Sequence, residues 1–368
     1  MEQDIVLVLL VAVALLFDFT NGFHDTANAM ATSIATHALP PKVAVGLSAI
    51  LNFVGAFISL KVAATIATDI VVAGAITPTV ILAGLLGGVV WNLLTWRLGL
   101  PSSSSHALIG GIVGAVLVAA GSSAVLADGV VGKVLVPAAV APLLCLAAAA
   151  TATFIVYRLI RGRPREELHH GFRMGQIASA SLVSLAHGTN DAQKTMGVIT
   201  LALIANGNLS GAHPGVPVWV VVSAATAIAL GTYTGGWRII RTMGHRITGL
   251  EPPQGFAAEM SSAATIVASS HAGFPLSTTH VTSGGVMGAG VGKRAAEVHW
   301  GVVGRIATAW ALTLPAAGAL AAVFYLLTRA LGTAVVGPIV VTALAFAGAA
   351  ALYVQVQRSP DRVTAADV

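Results

Sequence analysis

The sequence predicts an all-α polytopic membrane protein with two inverted-topology repeats, whose broken or re-entrant half-helices meet near the middle of the bilayer. This prediction rests on the composition, on a series of long apolar segments and on two pairs of duplicated motifs. Charged residues make up 9% of the 368-residue chain, against about 25% in soluble proteins. Hydrophobic residues reach 56%, and the mean hydropathy is +0.86. Charge is too scarce to solvate a globule of this length, which excludes a soluble domain.

The basic net charge does not indicate a nucleic-acid partner. Its value is +5, and the positive residues stand mostly in short loops between apolar segments. The expected partner is the lipid bilayer. The 40 glycines suit the close approach of helices in lipid.

Apolar segments follow one another along the chain, and most reach the roughly 20 residues that a straight span requires. They cover 4–36, 43–67, 71–98, 102–122, 134–160, 174–206, 215–237, 255–272, 276–292, 300–327 and 333–354. Two of them, 102–122 and 276–292, are short or interrupted by Gly, and each follows a Pro. Such segments are typical of the discontinuous helices of transporters. Acidic residues precede the first segment, whereas a secretory signal peptide begins with basic ones, so we expect it to remain a membrane helix.

A polar motif interrupts the first apolar segment at residues 21–28, which read NGFHDTAN. It places a carboxylate, an imidazole and two amides where a membrane helix would be apolar. A second version, HGTNDAQKTM, occupies 187–196, and the aligned copies match Asp25 with Asp191. An ionisable residue inside a membrane segment is costly and is a functional candidate by default. Both aspartates are therefore candidate site residues.

The second duplicated motif is longer, and its two copies align without a gap. Residues 101–115 read PSSSSHALIGGIVGA, and residues 275–289 read PLSTTHVTSGGVMGA. Pro, three hydroxyl residues, His, Gly-Gly and Gly-Ala coincide. The two motifs follow in the same order in both halves of the chain, which indicates gene duplication.

The segment 158–173 is the strongly charged loop of the sequence, with five arginines and two glutamates. By the positive-inside rule, this loop is cytoplasmic and the acidic N-terminus is outside. The chain crosses the membrane five times between the N-terminus and this loop, or three times if 71–98 and 102–122 form a re-entrant hairpin. Either count is odd, so the second half starts from the opposite side of the membrane. An inverted repeat has this arrangement.

The predicted organisation therefore has five parts in a multi-pass protein of the cell membrane. They are a first transmembrane repeat over 1–160, a basic cytoplasmic loop over 161–173, a second, inverted transmembrane repeat over 174–330, an additional C-terminal transmembrane helix over 331–357 and a polar tail over 358–368. Whether the protein forms a homo-oligomer is left open.

The hydroxyl runs of the longer motif predict two helix starts, because Pro fits the first turn of a helix and Ser or Thr caps it. The first N–H groups of such a helix are unpaired, and its dipole is positive there. Two converging helix starts would form an oxyanion cradle without net charge. The candidate anion-binding hydroxyls are Ser103, Ser104, Ser105, Ser277, Thr278 and Thr279.

The two carboxylates restrict the anion that fits between these helix starts. Hydrogen phosphate and dihydrogen phosphate carry P–OH groups that donate to a carboxylate, whereas sulfate has no hydrogen to donate. The remaining repulsion between Asp25, Asp191 and the anion requires a cation, namely Na⁺, H⁺ or a bound divalent metal. Hard cations prefer oxygen ligands. The candidate residues for this coupling ion are His24, Thr26, Asn28, Thr189 and Asn190.

For four other polar residues, the sequence allows two interpretations of their role. Lys194 is either a countercharge to Asp191 or a lysine that snorkels to the end of a helix. His106 and His280 are either proton relays or capping and packing groups. Glu259 has either a coupling role or an interfacial position.

The alternative from another functional class is an enzyme. The pair His24-Asp25 also occurs in metal-dependent phosphohydrolases, but a membrane phosphohydrolase would require further metal ligands, and the loops offer no such cluster. We therefore expect no catalytic residues and no cofactor apart from the coupling ion. A resident metal is left open.

With these motif pairs, the chain resembles the inorganic phosphate transporter (Pit/PiT) family over nearly its whole length. The family's repeated signature reads Gly-x-Asn-Asp-x-x-Asn or a close variant. The second copy keeps it over 188–191, with Lys194 in the last position, while the first copy has His24 where many members carry Asn. The first copy is similar to the bacterial low-affinity branch, which implies transport of phosphate or metal-phosphate with protons. Some family members carry sulfate.

The sequence thus predicts a secondary active transporter that imports inorganic phosphate, alone or as a metal-phosphate, by symport with H⁺ or Na⁺. His24 favours protons, because an imidazole gains and loses a proton near neutral pH. A sulfate permease of the same family is the alternative.

Overall fold

Helices form nearly all the regular structure of this computed structural model, which describes residues 2–162, 164–210, 215–359 and 362–368. Numbered in chain order, they are α1 (Glu2–Ala35), α2 (Pro41–Gly55), α3 (Lys61–Thr68), α4 (Pro78–Leu98), α5 (Ser104–Ala120), α6 (Ala127–Gly129), α7 (Val136–Leu159), α8 (Arg165–Ala205), α9 (Val218–Thr234), α10 (Trp237–Arg241), α11 (Pro252–His271), α12 (Thr278–Arg294), α13 (Trp300–Leu331) and α14 (Val336–Arg358). Arg163 of the predicted loop and 360–361 of the predicted tail lie outside the described residues. The prediction of an all-α fold is confirmed.

Several helices are long and apolar enough to cross a membrane. Within the described ranges there are five such spans: α1, α4, α13, α14 and the continuous stretch Ala127–Leu159, which includes α6 and α7. The stretch Trp237–Arg246, which begins with α10, follows α9 at a bend of 62°, the geometry of a broken span or of a re-entrant loop; counted as one span, the pair makes a sixth. The prediction of a polytopic membrane protein is confirmed.

The helix starts α5 and α12 lie where the hydroxyl runs predict them. The N-cap hydroxyl of Ser103 accepts a hydrogen bond from the backbone N–H of His106 at 3.1 Å. In the same way, Ser277 accepts from the backbone N–H of His280 at 3.2 Å. Each cap satisfies one of the unpaired N–H groups at the start of its helix.

Each capped helix follows an apolar helix through the same kind of turn. Gly99 ends α4 with φ 63°, and Gly273, just after α11, has φ 76°. Both glycines therefore lie in the left-handed region, which side chains other than glycine enter at a cost. The α4–α5 and α11–α12 pairs are equivalent helical hairpins, and each directs a hydroxyl run into the centre of the molecule.

The predicted segment 43–67 differs from the structure, because it forms two short helices, α2 and α3, instead of one span. The break is stabilised by a side chain from the other half of the chain. Gln193 Oε1 accepts hydrogen bonds from the backbone N–H groups of Val62 (2.9 Å) and Ala63 (3.2 Å). These donors at the start of α3 would otherwise be unpaired in a buried position.

The predicted basic loop, 161–173, also differs from the structure, because α8 begins within it at Arg165. Pro164 is the N-cap residue, and Glu166 and Glu167 stand in the first turn. Negative charge there is favourable beside the positive end of the helix dipole. The break between α7 and α8 is therefore short, and α8 runs for 41 residues through the second polar motif.

The two halves of the chain pack through equivalent contacts. A Cβ atom at Gly114 of α5 would overlap the backbone of Gly318 on α13, and one at Gly288 of α12 would overlap the backbone of Leu146 on α7. Each hairpin thus lies against a helix from the other half of the chain, and the glycines allow close approach.

The polar-motif helices α1 and α8 run antiparallel. Near the end of α1, Thr36 donates to Gln176 Oε1 near the start of α8, at 2.7 Å, whereas Asp25 lies beside Asp191, further along α8. The antiparallel packing of α1 and α8 supports the predicted repeat. The inverted arrangement across the bilayer, the five-part division and the sidedness of the N-terminus stay predictions.

Candidate functional site

The centre of the molecule holds a buried polar cluster that contains both aspartates of the duplicated motif. One carboxylate oxygen each from Asp25 and Asp191 and one ring nitrogen of His187 lie within 4.8 Å of one another. All three side chains are buried. The two halves of the chain therefore share one site.

Asp25 is held by three polar side chains. His24 Nδ1 lies 2.6 Å from its Oδ1. Ser104 donates to Oδ2 at 2.7 Å, and Thr279 donates to Oδ1 at 3.3 Å. The hydroxyls of both helix starts thus reach the same carboxylate.

Asp191 has an equivalent set of partners and one full countercharge. Thr278 donates to its Oδ2 at 3.2 Å. His187 Nε2 lies 3.4 Å from the same oxygen, and Lys194 Nζ donates to Oδ1 at 2.6 Å. Lys194 is 1% exposed, and this buried position beside Asp191 favours the countercharge interpretation over a snorkelling lysine.

Contacts across the centre join each polar-motif helix to the helix start of the opposite half. Asn28 of α1 donates to Thr278 (3.3 Å) and Thr279 (3.0 Å) of α12. Its aligned residue Lys194 donates across the centre to Ser105 of α5 and, within its own half of the chain, to the Leu276 carbonyl oxygen (2.8 Å). The cluster therefore has an approximate two-fold arrangement, in which Asn28 and Lys194 take equivalent places.

Two amide oxygens in this region are buried acceptors. Among the described residues, no hydrogen-bond partner contacts Oδ1 of Asn28 or Oδ1 of Asn190. The amide nitrogen of Asn190 donates to Ser270 Oγ at 2.9 Å. Because a buried acceptor without a partner is costly, these two oxygens are suited to a bound cation or to a P–OH group.

Two predicted coupling residues use their hydroxyls elsewhere in this structure. Thr26 donates to the carbonyl oxygen of Gly22 at 2.7 Å, and Thr189 donates to that of Gly55 at 2.9 Å. The structure does not bring either hydroxyl to the carboxylates. A coupling-ion role for them stays a prediction.

The histidines of the hydroxyl motif contact each other beside the cluster. The ring centroids of His106 and His280 are 4.8 Å apart, in an edge-to-face arrangement, and His280 stacks on Trp310 with a centroid distance of 4.1 Å. Within the described part of the chain, neither ring nitrogen of His280 has a hydrogen-bond partner. The relay interpretation stays a prediction.

Sequence reasoning missed the residues that orient the two histidines of the cluster. His24 Nε2 lies 3.2 Å from Thr95 Oγ1 on α4. His187 Nδ1 lies 3.1 Å from Asn52 Oδ1 on α2. His187 itself stands four residues before Asp191, on the same face of a helix, and this spacing could have identified it. Thr95 and Asn52 carry no comparable pattern.

With neutral imidazoles, the cluster has one negative charge in excess, since Lys194 balances one of the two carboxylates. A proton on His24 or His187 would remove that excess. A divalent cation would find ligand atoms from Asp25, His187 and Asp191.

A family model described as the phosphate transporter family matches residues 21–321, which include both copies of each motif. The chain belongs to the phosphate transporter family. Its relatives include a "Probable low-affinity inorganic phosphate transporter" of Mycobacterium bovis, with 57% identity over 97% of this chain and 86% of that protein. A protein of the same description from Bacillus subtilis is 43% identical over 87% of this chain and 96% of that protein.

A solved structure also has this family's fold. It is described as "The sodium-dependent phosphate transporter" and superimposes with a TM-score of 0.76, covering 89% of this chain and 100% of that one. The two sequences are 24% identical, and at this level the likeness shows the fold alone.

Proposed function

We propose that the protein imports inorganic phosphate by symport with protons, and that the anion binds at the central cluster. The observation that carries this proposal is the meeting of two capped helix starts at two buried carboxylates. A site with only hydroxyls and helix starts would suit any small oxyanion. The carboxylates add acceptors, which a protonated oxyanion requires.

The hydroxyls of Ser104 and Thr278 explain how anion and cation binding depend on each other. Each hydroxyl has one hydrogen, and in this structure that hydrogen is donated to an aspartate. To donate to a phosphate oxygen instead, the hydroxyl must turn away from its carboxylate. The carboxylate then loses a donor, a loss that a proton or a metal cation offsets. Cation and anion thus favour each other's binding.

His24 is the residue that favours protons. One ring nitrogen lies at hydrogen-bond distance from Asp25 Oδ1, and the other from Thr95 Oγ1, which itself donates to the Trp91 carbonyl oxygen at 3.0 Å. Both N–H groups of a protonated imidazole would therefore have an acceptor. A sodium ion would gain less from this residue, because a neutral imidazole offers one nitrogen in place of an amide oxygen.

Phosphate fits this site better than sulfate, the alternative within the family. A P–OH group can donate to Asp25 or Asp191 or to the unpaired Oδ1 of Asn28, whereas sulfate would meet only repulsion from the carboxylates. The names of the bacterial relatives also support phosphate. For a metal-phosphate, the carboxylates would contact the metal directly.

The test compares uptake of labelled phosphate and labelled sulfate into proteoliposomes that contain the purified protein. We expect phosphate to accumulate, excess unlabelled phosphate to block the uptake, and sulfate to do neither. Sulfate that accumulates as fast as phosphate would contradict the assignment. The phosphate measurement is repeated in the presence of a divalent metal, with and without a chelator that removes the free metal. This comparison distinguishes transport of free phosphate from transport of a metal-phosphate.

A further inference from the structure

Asp18 of α1 is a buried carboxylate that does not belong to the central cluster. Its side chain is 0% exposed, and within the described residues neither carboxylate oxygen has a hydrogen-bond partner. It lies two helical turns before Asp25, roughly 10 Å along α1. Glu259 of α11 is also buried, but it accepts hydrogen bonds from Thr32, Ser33, Gln176 and Ser179. Of these two carboxylates, Asp18 is the one without a donor.

Two neighbouring side chains place further unpaired polar atoms at Asp18. Asn21 stands one turn further along α1, Thr195 belongs to α8, and both face the carboxylate. Oδ1 of Asn21 and Oγ1 of Thr195 have no hydrogen-bond partner in the described part of the chain, and both side chains are buried. A buried polar atom without a partner is costly. Several of them at one place indicate a binding site.

The packing of α4 against α1 follows a constant register. Nε2 of His24 lies 3.2 Å from Oγ1 of Thr95. One layer earlier, a Cβ atom at Gly88 would lie 3.2 Å from the ring of Phe17. In both pairs the residue of α4 stands 71 positions after that of α1. The two helices therefore run parallel here.

This register brings Asn92 of α4 opposite Asn21, about one helical turn from Asp18. The Asn92 side chain is fully buried. Neither its Oδ1 nor its Nδ2 has a hydrogen-bond partner among the residues that the structure describes. The site thus combines a carboxylate, two amides and a hydroxyl, contributed by α1, α4 and α8.

The charged groups that face Asp18 do not balance it. They are Asp191 and Lys194, both of α8. The ammonium group of Lys194 has three donors, and they go to Asp191, Ser105 and the Leu276 carbonyl oxygen. Helix α9 has no charged residue, and Arg97 of α4 stands in the last turn of that helix. An ionised Asp18 would therefore be a buried charge without a partner, which is costly.

We propose that Asp18 binds a second proton of the transport cycle, at the site formed with Asn21, Asn92 and Thr195. The inference rests on the proposed proton-coupled transport. A protonated carboxyl group has one donor and one acceptor, and a primary amide offers the complement of both. The O–H group of Asp18 can donate to an amide oxygen, while its other oxygen accepts from Nδ2 of Asn92.

The other states of this site satisfy fewer of its polar atoms. An ionised Asp18 has no hydrogen to donate, so the oxygens of Asn21 and Asn92 stay unpaired. A Na⁺ ion would contact the oxygens, but the N–H groups of Asn92 would then face a cation. The unpaired donor and acceptor of this one amide thus favour a proton over a metal ion.

A proton on Asp18 and phosphate at the central cluster favour each other's binding. The anion adds negative charge two helical turns away, and charges interact more strongly in a protein interior than in water. Loss of the proton restores the negative charge of Asp18, which repels the anion. Asp18 thus couples the release of this proton to the release of phosphate.

The test uses Asp18→Asn, which resembles the protonated state but cannot bind or release a proton. Proteoliposomes report exchange of labelled for unlabelled phosphate at equal concentrations, and the final accumulation ratio under a pH gradient with the membrane potential held at zero. One proton fewer per phosphate lowers that ratio about tenfold for each unit of pH difference. We expect Asp18→Asn to keep exchange and to show this lower ratio.

Two further variants complete the comparison. Asp18→Glu keeps a carboxylate and should reach the wild-type ratio. Asp128→Asn removes an exposed carboxylate and is the matched control, which should behave like the wild type in both measurements.

A wild-type accumulation ratio in Asp18→Asn would overturn the inference, because the site would then hold only water. Loss of exchange in this variant would do the same, since its side chain resembles the loaded state. Accumulation that a Na⁺ gradient drives in the wild type and not in Asp18→Asn would replace the proton by Na⁺ and overturn the assignment. A wild-type protein that accumulates no phosphate under the pH gradient would instead contradict the proposed function.

Discussion

Carboxylate oxygens of Asp25 and Asp191 lie within 4.8 Å of each other, buried between two antiparallel helices from the two halves of the chain. Two like charges at this separation repel, and each carboxylate is stabilised in a different way. Asp191 has the ammonium group of Lys194, whereas Asp25 has His24 and two hydroxyls. This asymmetry within a two-fold arrangement leads to the following predictions.

Replacement of either aspartate by Asn should abolish phosphate uptake. The two variants should differ in stability, because Asp191→Asn leaves Lys194 buried without a countercharge, which costs about 3–5 kcal/mol. Asp25→Asn leaves only neutral partners and should be less destabilising. Thermal unfolding in detergent and uptake in proteoliposomes measure the two effects. Asp128→Asn, an exposed carboxylate, is the control, and wild-type uptake by either site variant would remove that aspartate from the site.

Lys194→Met should destabilise the protein by a similar amount, because it leaves Asp191 unpaired. The double variant Asp191→Asn/Lys194→Met removes both charges together, so much of the stability should return. Transport should not return, since the acceptor is absent. Additive losses of stability in the double variant would show that the two side chains do not act as a pair.

Loss of a hydroxyl at a helix start should weaken phosphate binding without unfolding the protein. A hydrogen bond to a charged group contributes about 1.5–3 kcal/mol, so Ser104→Ala and Thr278→Ala should each raise the dissociation constant roughly ten- to a hundred-fold. Thr226→Ala is the control, because that exposed hydroxyl bonds only within its own helix. Binding of labelled phosphate to purified protein measures the effect. An unchanged constant for both site variants would mean that these hydroxyls do not contact the anion.

Local sequence rules identified the parts of this fold that depend on local chemistry. Pro followed by hydroxyls marked the starts of α5 and α12, since capping requires only neighbouring residues. The aligned aspartates marked the site, because an ionised group in an apolar segment is costly wherever the chain folds.

Contacts between distant segments were not predictable in this way. The break between α2 and α3 depends on the side chain of Gln193, and the partner of Lys194 across the centre is Ser105. Neither pairing leaves a periodic pattern. The helical start of α8 was missed because its arginines were interpreted as a loop, although two glutamates in its first turn favour a helix there.

The most direct test of the account is phosphate uptake into proteoliposomes under separately imposed gradients. With an acidic exterior and no Na⁺, the wild-type protein should accumulate labelled phosphate, and His24→Asn should lose this proton-driven uptake while remaining folded. Uptake that requires Na⁺ and does not respond to the pH gradient would contradict proton coupling at the central cluster. Full proton-driven uptake by His24→Asn would remove His24 from it.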